Sequence, residues 1–277
     1  MRLRSLLFVP GDRPDRMEKA LGSGADALIL DLEDSVAPAR KAEARAAVVD
    51  FLRRERRIPL VVRINPLDSG YIDEDLVAFS TAPADAIMLP KAEGAASIRA
   101  LAEKIMLPIL PIATETPSAI FALGSYRDVA DRLFGLTWGA EDLPAAIGAT
   151  AAREADGRYT APIETVRSLV LFAAHSAGVP AIETVYPAFR DLEGLAAYAA
   201  RGARDGFTGM MAIHPDQVAV INRAFTPGDS EVAAARAIVA AFAAEPGAGV
   251  LAVDGKMVDA PHLAQARRLL ARAGEGA

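Results

Sequence analysis

The stretch Ala27-Leu28-Ile29-Leu30-Asp31-Leu32, followed by Glu33 and Asp34, is apolar for the length of one strand and then acidic. It lacks strict alternation of apolar and polar residues, which fits a strand covered on both faces. Seven further runs of strand length share this plan: Ser5–Pro10, Leu60–Ile64, Ala86–Pro90, Ile109–Ala113, Leu133–Trp138, Ala181–Tyr186 and Gly209–Ile213. Between the runs lie segments with apolar residues at helical spacing, such as Ala42–Leu52, Ile98–Ile105 and Ile163–Ala177. The last has Pro162 near its first turn and Gly178 just past its end, the asymmetry expected of a helix start and stop. Strand alternating with helix predicts a parallel sheet of the α/β class. Eight such units predict a closed (β/α)8 TIM barrel, with an open doubly wound sheet as the alternative.

The length of 277 residues suits one such barrel, since the fold typically takes about 250. A hydrophobic fraction of 52% supports a large core. The barrel is expected over residues 1–225 and a C-terminal helical extension over 226–277. In the extension two helical segments, roughly Ser230–Ala244 and Pro261–Ala273, flank the Gly-rich stretch Pro246–Gly255. That is more helix than barrel closure needs, so the extension is expected to pack outside the barrel or on another subunit. The longest link, between the sixth and seventh runs, carries the polar stretch Arg153–Tyr159, read as a surface loop or lid.

The net charge is −6, and no basic stripe with interleaved aromatics appears, so nucleic acid is not an expected partner. There are no cysteines, which removes disulfides, zinc–thiolate sites and thiol nucleophiles together and fits a reducing cytoplasm. The apolar run after Arg2 and Arg4 stops at Pro10-Gly11-Asp12, too short for a signal peptide. No stretch approaches the roughly 18 apolar residues of a membrane span. Gly22-Ser23-Gly24 precedes a strand instead of following one, so a dinucleotide loop is not indicated. No phosphate loop and no Gly-x-Ser-x-Gly elbow is present.

In a barrel the active site lies at the C-terminal ends of the strands. The groups there are Arg13, then Asp31, Glu33 and Asp34, then Arg63 and Asn65, then Lys91. Glu115 follows, then Glu141 and Asp142, then Glu183 and Tyr186, and His214 at the eighth. Eight loops converging on one mouth would place these groups in one cavity, and charged groups are rarely buried without partners. Carboxylates mixed with Arg and Lys call for a metal or an anionic ligand. Each group also has a plainer reading. Asp142 before Leu143-Pro144 and Thr116 before Pro117 fit helix caps, worth about 1 kcal/mol. Arg63 and Lys91 fit structural ion pairs. His214 fits a loop histidine, His175 packing and His262 the tail, and no pair of histidines has metal-ligand spacing.

Glu115 and Asp142 follow consecutive strands, which sit about 4.8 Å apart, so their side chains can reach one ion. Oxygen ligands alone favour Mg2+ or Mn2+ over zinc, and Mg2+ commonly takes one or two carboxylates and completes its octahedron with water and substrate oxygens. Such an ion acts as a Lewis acid on a substrate carboxylate and its neighbouring oxygen. Arg63 is placed to stabilise an enolate or carbonyl oxyanion.

The chain resembles a known family at several linked motifs in order. They are Arg4-Ser-Leu-Leu-Phe-Val-Pro-Gly11, Leu30-Asp-Leu-Glu-Asp-Ser35, Val62-Arg-Ile-Asn65 and Leu89-Pro-Lys91, then Thr114-Glu-Thr116, Trp138-Gly-Ala-Glu-Asp-Leu143 and Ala212-Ile-His-Pro215, and in the tail Asp254-Gly-Lys-Met-Val-Asp259. The family is the citrate lyase β-subunit-like group of CoA-ester lyases, within the HpcH/HpaI aldolase superfamily. The resemblance implies a TIM barrel, Mg2+, a homotrimer, and reversible cleavage of a 3-hydroxyacyl-CoA of the malyl, citramalyl or citryl type. It places the metal on Glu115 and Asp142 and the substrate on Arg63 and Glu115. It also makes Asp259 an acid/base acting in a neighbouring subunit's site, whereas the local sequence before Ala260-Pro261 reads as a helix cap. Two positions depart from the pattern: Met210 stands where many relatives carry Lys, and Glu183 where Asp is usual. The competing functions are a metal-dependent pyruvate aldolase acting on free acids and a non-catalytic metabolite-binding barrel.

Overall fold

The computed structural model describes residues 2–55, 57–82 and 84–275. The described chain falls into two compact units, one over Leu3–Asn222 and one beginning at Arg223.

The first unit is the expected (β/α)8 barrel. Its strands are β1 (Ser5–Pro10), β2 (Ala27–Asp31), β3 (Leu60–Arg63), β4 (Ala86–Leu89), β5 (Ile109–Pro111), β6 (Leu136–Thr137), β7 (Ala181–Glu183) and β8 (Gly209–Ala212). All pairings are parallel, in the order β5-β4-β3-β2-β1-β8-β7-β6. Parallel bridges Ile109↔Leu133 and Ile112↔Thr137 close the ring between β5 and the segment leading into β6. The helices that matter below are α1 (Pro14–Leu21), α2 (Lys41–Leu52), α3 (Ile72–Phe79), α4 (Gly94–Ala102), α5 (Pro117–Ala122), α6 (Asp142–Ala146), α7 (Ala161–Ala177), α8 (Leu192–Asp205) and α9 (Pro215–Ala224).

The barrel interior is packed by Leu6, Ala27, Ile29, Val61, Ala86, Met88, Leu110, Ile112, Ile182 and Met211. Side chains alternate between the two faces of a strand. Interior residues at 27 and 29 therefore aim Asp31 inward, and Val61 does the same for Arg63. By the same parity Leu6 points Phe8, Ile182 points Thr184, and Met211 points Ile213 toward the mouth. Glu183 falls on the opposite parity and faces the helices. In the 153–159 loop Arg153 pairs with Tyr159 in an isolated antiparallel bridge, and Tyr159 is buried.

The second unit holds α10 (Asp229–Ala244), β9 (Val250–Val253), β10 (Lys256–Asp259) and α11 (Ala260–Arg272). The Gly-rich stretch that sequence left between two helices is in part a hairpin, with Val253 paired to Lys256 and Val250 to Asp259. Its two-residue turn is Asp254-Gly255, with φ of 50° and 73°. This pair is a strong hairpin signal, because both positions of such a turn need positive φ.

Candidate active site

A cavity of about 350 Å3 opens at the C-terminal ends of the barrel strands, lined among others by Phe8, Arg16, Asp31, Arg63, Glu115, Trp138, Asp142 and Thr184. Such a volume lies at the lower end of the range for small-molecule sites. It would hold the reacting end of a larger ligand.

The register Asp31↔Arg63 sets these two residues side by side. Arg63 Nε donates to Asp31 Oδ1 at 2.6 Å and Nη2 to Oδ2 at 2.7 Å. Nη1 lies 2.8 Å from Glu33 Oε2, and the guanidinium sits over the Phe8 ring at 5.0 Å. Burial works against ionisation of Asp31, but the Arg63 fork, the Ser35 side chain and the Glu33 amide outweigh it and hold its pKa below the ordinary value. A guanidinium has five N–H bonds; the Asp31 pair takes two of them, and Nη1 also lies 3.8 Å from Asp34 Oδ2. The group still lines the cavity, where a ligand oxygen can reach it.

Glu115, 7% exposed, accepts the Lys91 amide at 2.6 Å. That approach depends on Lys91 adopting a positive φ of 52°, unusual for a residue with a side chain. The Lys91 ammonium reaches Glu33 at 3.0 Å and Asp142 at 3.5 Å. Opposite Glu115 stands Gly139, where a Cβ would come within 3.1 Å of Glu115 Cγ. Burial, together with the charges of Asp142 and Glu33, pushes the Glu115 carboxyl up to about 8. The pocket thus carries more carboxylate than its cations offset.

That surplus, and a donor set of oxygens only, fit a divalent cation. Among the described residues no cluster of three or more His, Asp or Glu side chains closes round an ion. Two carboxylates with open positions are what Mg2+ accepts when water and substrate complete its shell.

Several groups read from sequence as sharing the mouth lie elsewhere. Asn65 is buried and pairs through its amide and side chain with Asp75 Oδ2 on α3, at 2.9 and 2.7 Å. Tyr186 donates to Asp191 at 2.8 Å. His214 stacks on Phe189 at 5.1 Å, the structural role its position before Pro215 suggests. Glu183, facing outward, is wholly buried against Arg167 of α7. Arg13 is exposed. Arg16, Trp138 and Thr184 were not singled out from sequence. The signal for Thr184 was the strand parity set by Ile182, and for Arg16 its place one turn beyond the Pro10-Gly11 break.

Asp259 caps α11, its carboxylate accepting the His262 amide, and its Oδ1 lies 2.5 Å from His262 Nδ1. The His262 contact lowers its pKa. The cap reading of the local sequence therefore holds in the fold.

Residues 4–215 match the family model described as HpcH/HpaI aldolase/citrate lyase. The chain is 38% identical to a (3S)-malyl-CoA thioesterase of Cereibacter sphaeroides, over 98% of this chain and 94% of the relative. It is 32% identical to the mitochondrial citramalyl-CoA lyase of Homo sapiens, over 95% and 83%. The crystal structure of Mycobacterium tuberculosis CitE in complex with magnesium, acetoacetate and coenzyme A superposes with a TM-score of 0.84 at 39% identity, covering 98% of both chains. On the family match and these identities over nearly its full length, the chain belongs to the HpcH/HpaI aldolase/citrate lyase family.

Proposed function

We propose that the protein is a Mg2+-dependent carbon–carbon lyase that cleaves or forms a 3-hydroxyacyl-CoA thioester of the malyl, citramalyl or citryl type. The observation that carries this reading is the meeting of Glu115, Asp142 and Arg63 in one cavity at the barrel mouth. Glu115 and Asp142 would hold the cation, with Mn2+ as a substitute. When bound, the ion supplies Lewis-acid stabilisation of charge on the substrate's oxygens. Arg63, whose guanidinium lines the cavity, would stabilise a substrate oxyanion. In cleavage the 3-hydroxyl gives its proton to solvent water as the C2–C3 bond breaks and the C3–O bond becomes a carbonyl. The electron pair passes to C2 as the enolate of the shorter thioester, and a proton must then reach C2. Asp259 of a neighbouring subunit is the proposed acid/base there, in a cytoplasmic homotrimer. Its carboxylate would take that proton in the synthetic direction and return it in cleavage. Among the described residues no helix is long and apolar enough to cross a membrane.

The similarity to a malyl-CoA thioesterase favours a second reading, hydrolysis at the thioester carbonyl. Incubation with malyl-, citramalyl- and citryl-CoA in MgCl2 separates the two when the carbonyl product and free CoA thiol are both measured. A lyase yields an oxo acid and no thiol. Thiol release with an intact hydroxy acid would replace the lyase reading with the hydrolase. Turnover of free hydroxy acids without CoA would support the pyruvate-aldolase alternative, and no turnover of any of these would support the non-catalytic one.

A further inference from the structure

The segment that carries Asp142 into the cavity has little strand to hold it. β6 is two residues long, paired to β7 only at Leu136↔Ala181 and Thr137↔Ile182. From Thr137 the chain runs through Trp138, Gly139, Ala140 and Glu141 to Asp142, the first residue of α6. On one side Thr114 Oγ1 clamps Gly139, accepting its amide at 3.2 Å and donating to its carbonyl at 3.1 Å. On the other side the fully buried Trp138 donates its Nε1–H to Glu183 Oε1 at 2.6 Å.

Glu183 is itself immobilised. The same oxygen accepts the Tyr198 hydroxyl at 2.9 Å and the Thr184 amide at 3.0 Å, while Oε2 accepts Arg167 Nε at 2.8 Å. Arg167 is tied in turn to Asp205 of α8 at 2.8 Å. Two helices thus fix one carboxylate, and that carboxylate fixes the indole at the head of the segment. A buried charge with this many donors is costly to assemble, and it lies outside the cavity, so binding of substrate does not explain it.

We propose that Glu183 is a positioning residue: acting through the Trp138 N–H, it holds segment 138–142 so that Asp142 stands opposite Glu115. This rests on the reading of Glu115 and Asp142 as the cation's ligands. Groups that hydrogen-bond a metal ligand directly typically matter about 10–100-fold in metal affinity; Glu183 acts one step further out, so the low end of that range is the expected effect.

Trp138 is the only tryptophan, so its emission reports on this anchor in the unmodified protein. Calorimetric titration with MgCl2 is the primary measurement, without substrate. Trp138→Phe keeps an aromatic wall, loses the N–H and leaves Glu183 paired with Arg167. It should weaken Mg2+ binding by about tenfold. Tyr198→Phe removes a donor from the same oxygen without touching the segment and should bind within twofold of the parent. The parent's tryptophan emission should change along the calorimetric isotherm, a readout that needs no variant. Unchanged affinity in Trp138→Phe, or flat emission across the parent's isotherm, overturns the positioning role alone. A parent that binds no Mg2+, or an Asp142→Asn variant that binds it normally, overturns the ligand assignment beneath it.

Discussion

Arg63 shows how one residue serves structure and chemistry together. Its guanidinium closes a bidentate pair with Asp31 and still lines the cavity. The sequence left Arg63 open to two readings, an oxyanion stabiliser and a structural ion-pair partner. The buried pair gives the second one weight, since breaking such a pair costs several kcal/mol when one charge is left alone. Arg63→Lys keeps the charge but loses the planar fork. It should lower the melting temperature by a few degrees, and kcat/KM should fall at least tenfold at temperatures where circular dichroism shows a folded variant. A folded variant with kcat/KM within twofold of the parent would leave Arg63 a purely structural role. The Asp31 side of the pair has a pH signature. Its pKa is depressed in the fold, so its stabilisation is complete above the unfolded value and is lost as pH falls through the folded one. Asp31→Asn should flatten the acid limb of a melting-temperature profile, and an unaltered limb would assign acid sensitivity elsewhere.

The barrel strands were legible because each is an apolar run buried on both faces, and their bounds fall within a few residues of those read from Ala27–Leu32 and its seven counterparts. Reading the strand ends also picked out Arg63, Glu115 and Asp142, all three of which line the cavity. It could not sort inward from outward. Glu183 ends β7 on the parity opposite Ile182 and so became a buried partner of Arg167, and Asn65 went to Asp75. Short strands make this ambiguity worse, because two or three residues show no period. The β9–β10 hairpin was missed for a related reason: its strands are four residues each and largely exposed, so the apolar Val250–Val253 run was too short to tell strand from loop, and Asp254-Gly255 carried the clearest signal. Gly255→Val would set a β-branched residue at φ 73°, with a cost of about 1–2 kcal/mol. Hydrogen exchange should then quicken across residues 250–259 while the β1–β8 amides keep their protection. Equal protection in the hairpin would show that the turn does not hold it.

Across the whole chain, two compact units carry two parts of the proposed chemistry, Glu115, Asp142 and Arg63 in one and Asp259 in the other. Asp259 is a helix cap in the fold, and its role as an acid/base in a neighbour's site remains our proposal. Asp259→Asn should keep Mg2+ binding and lose turnover. Mixed with Glu115→Gln protein under conditions that exchange subunits, it should regain part of the activity, because some sites then pair an intact barrel with an intact tail. No recovery after verified exchange would remove the cross-subunit role, and full activity of Asp259→Asn alone would remove the catalytic one.

The reading as a whole depends on a cation held at the barrel mouth by two carboxylates. The most direct measurement is calorimetric Mg2+ binding to the parent, Glu115→Gln and Asp142→Asn proteins, each verified as folded. One site per chain in the parent and none in either variant is the expected result. Unchanged Mg2+ affinity in both variants would contradict it.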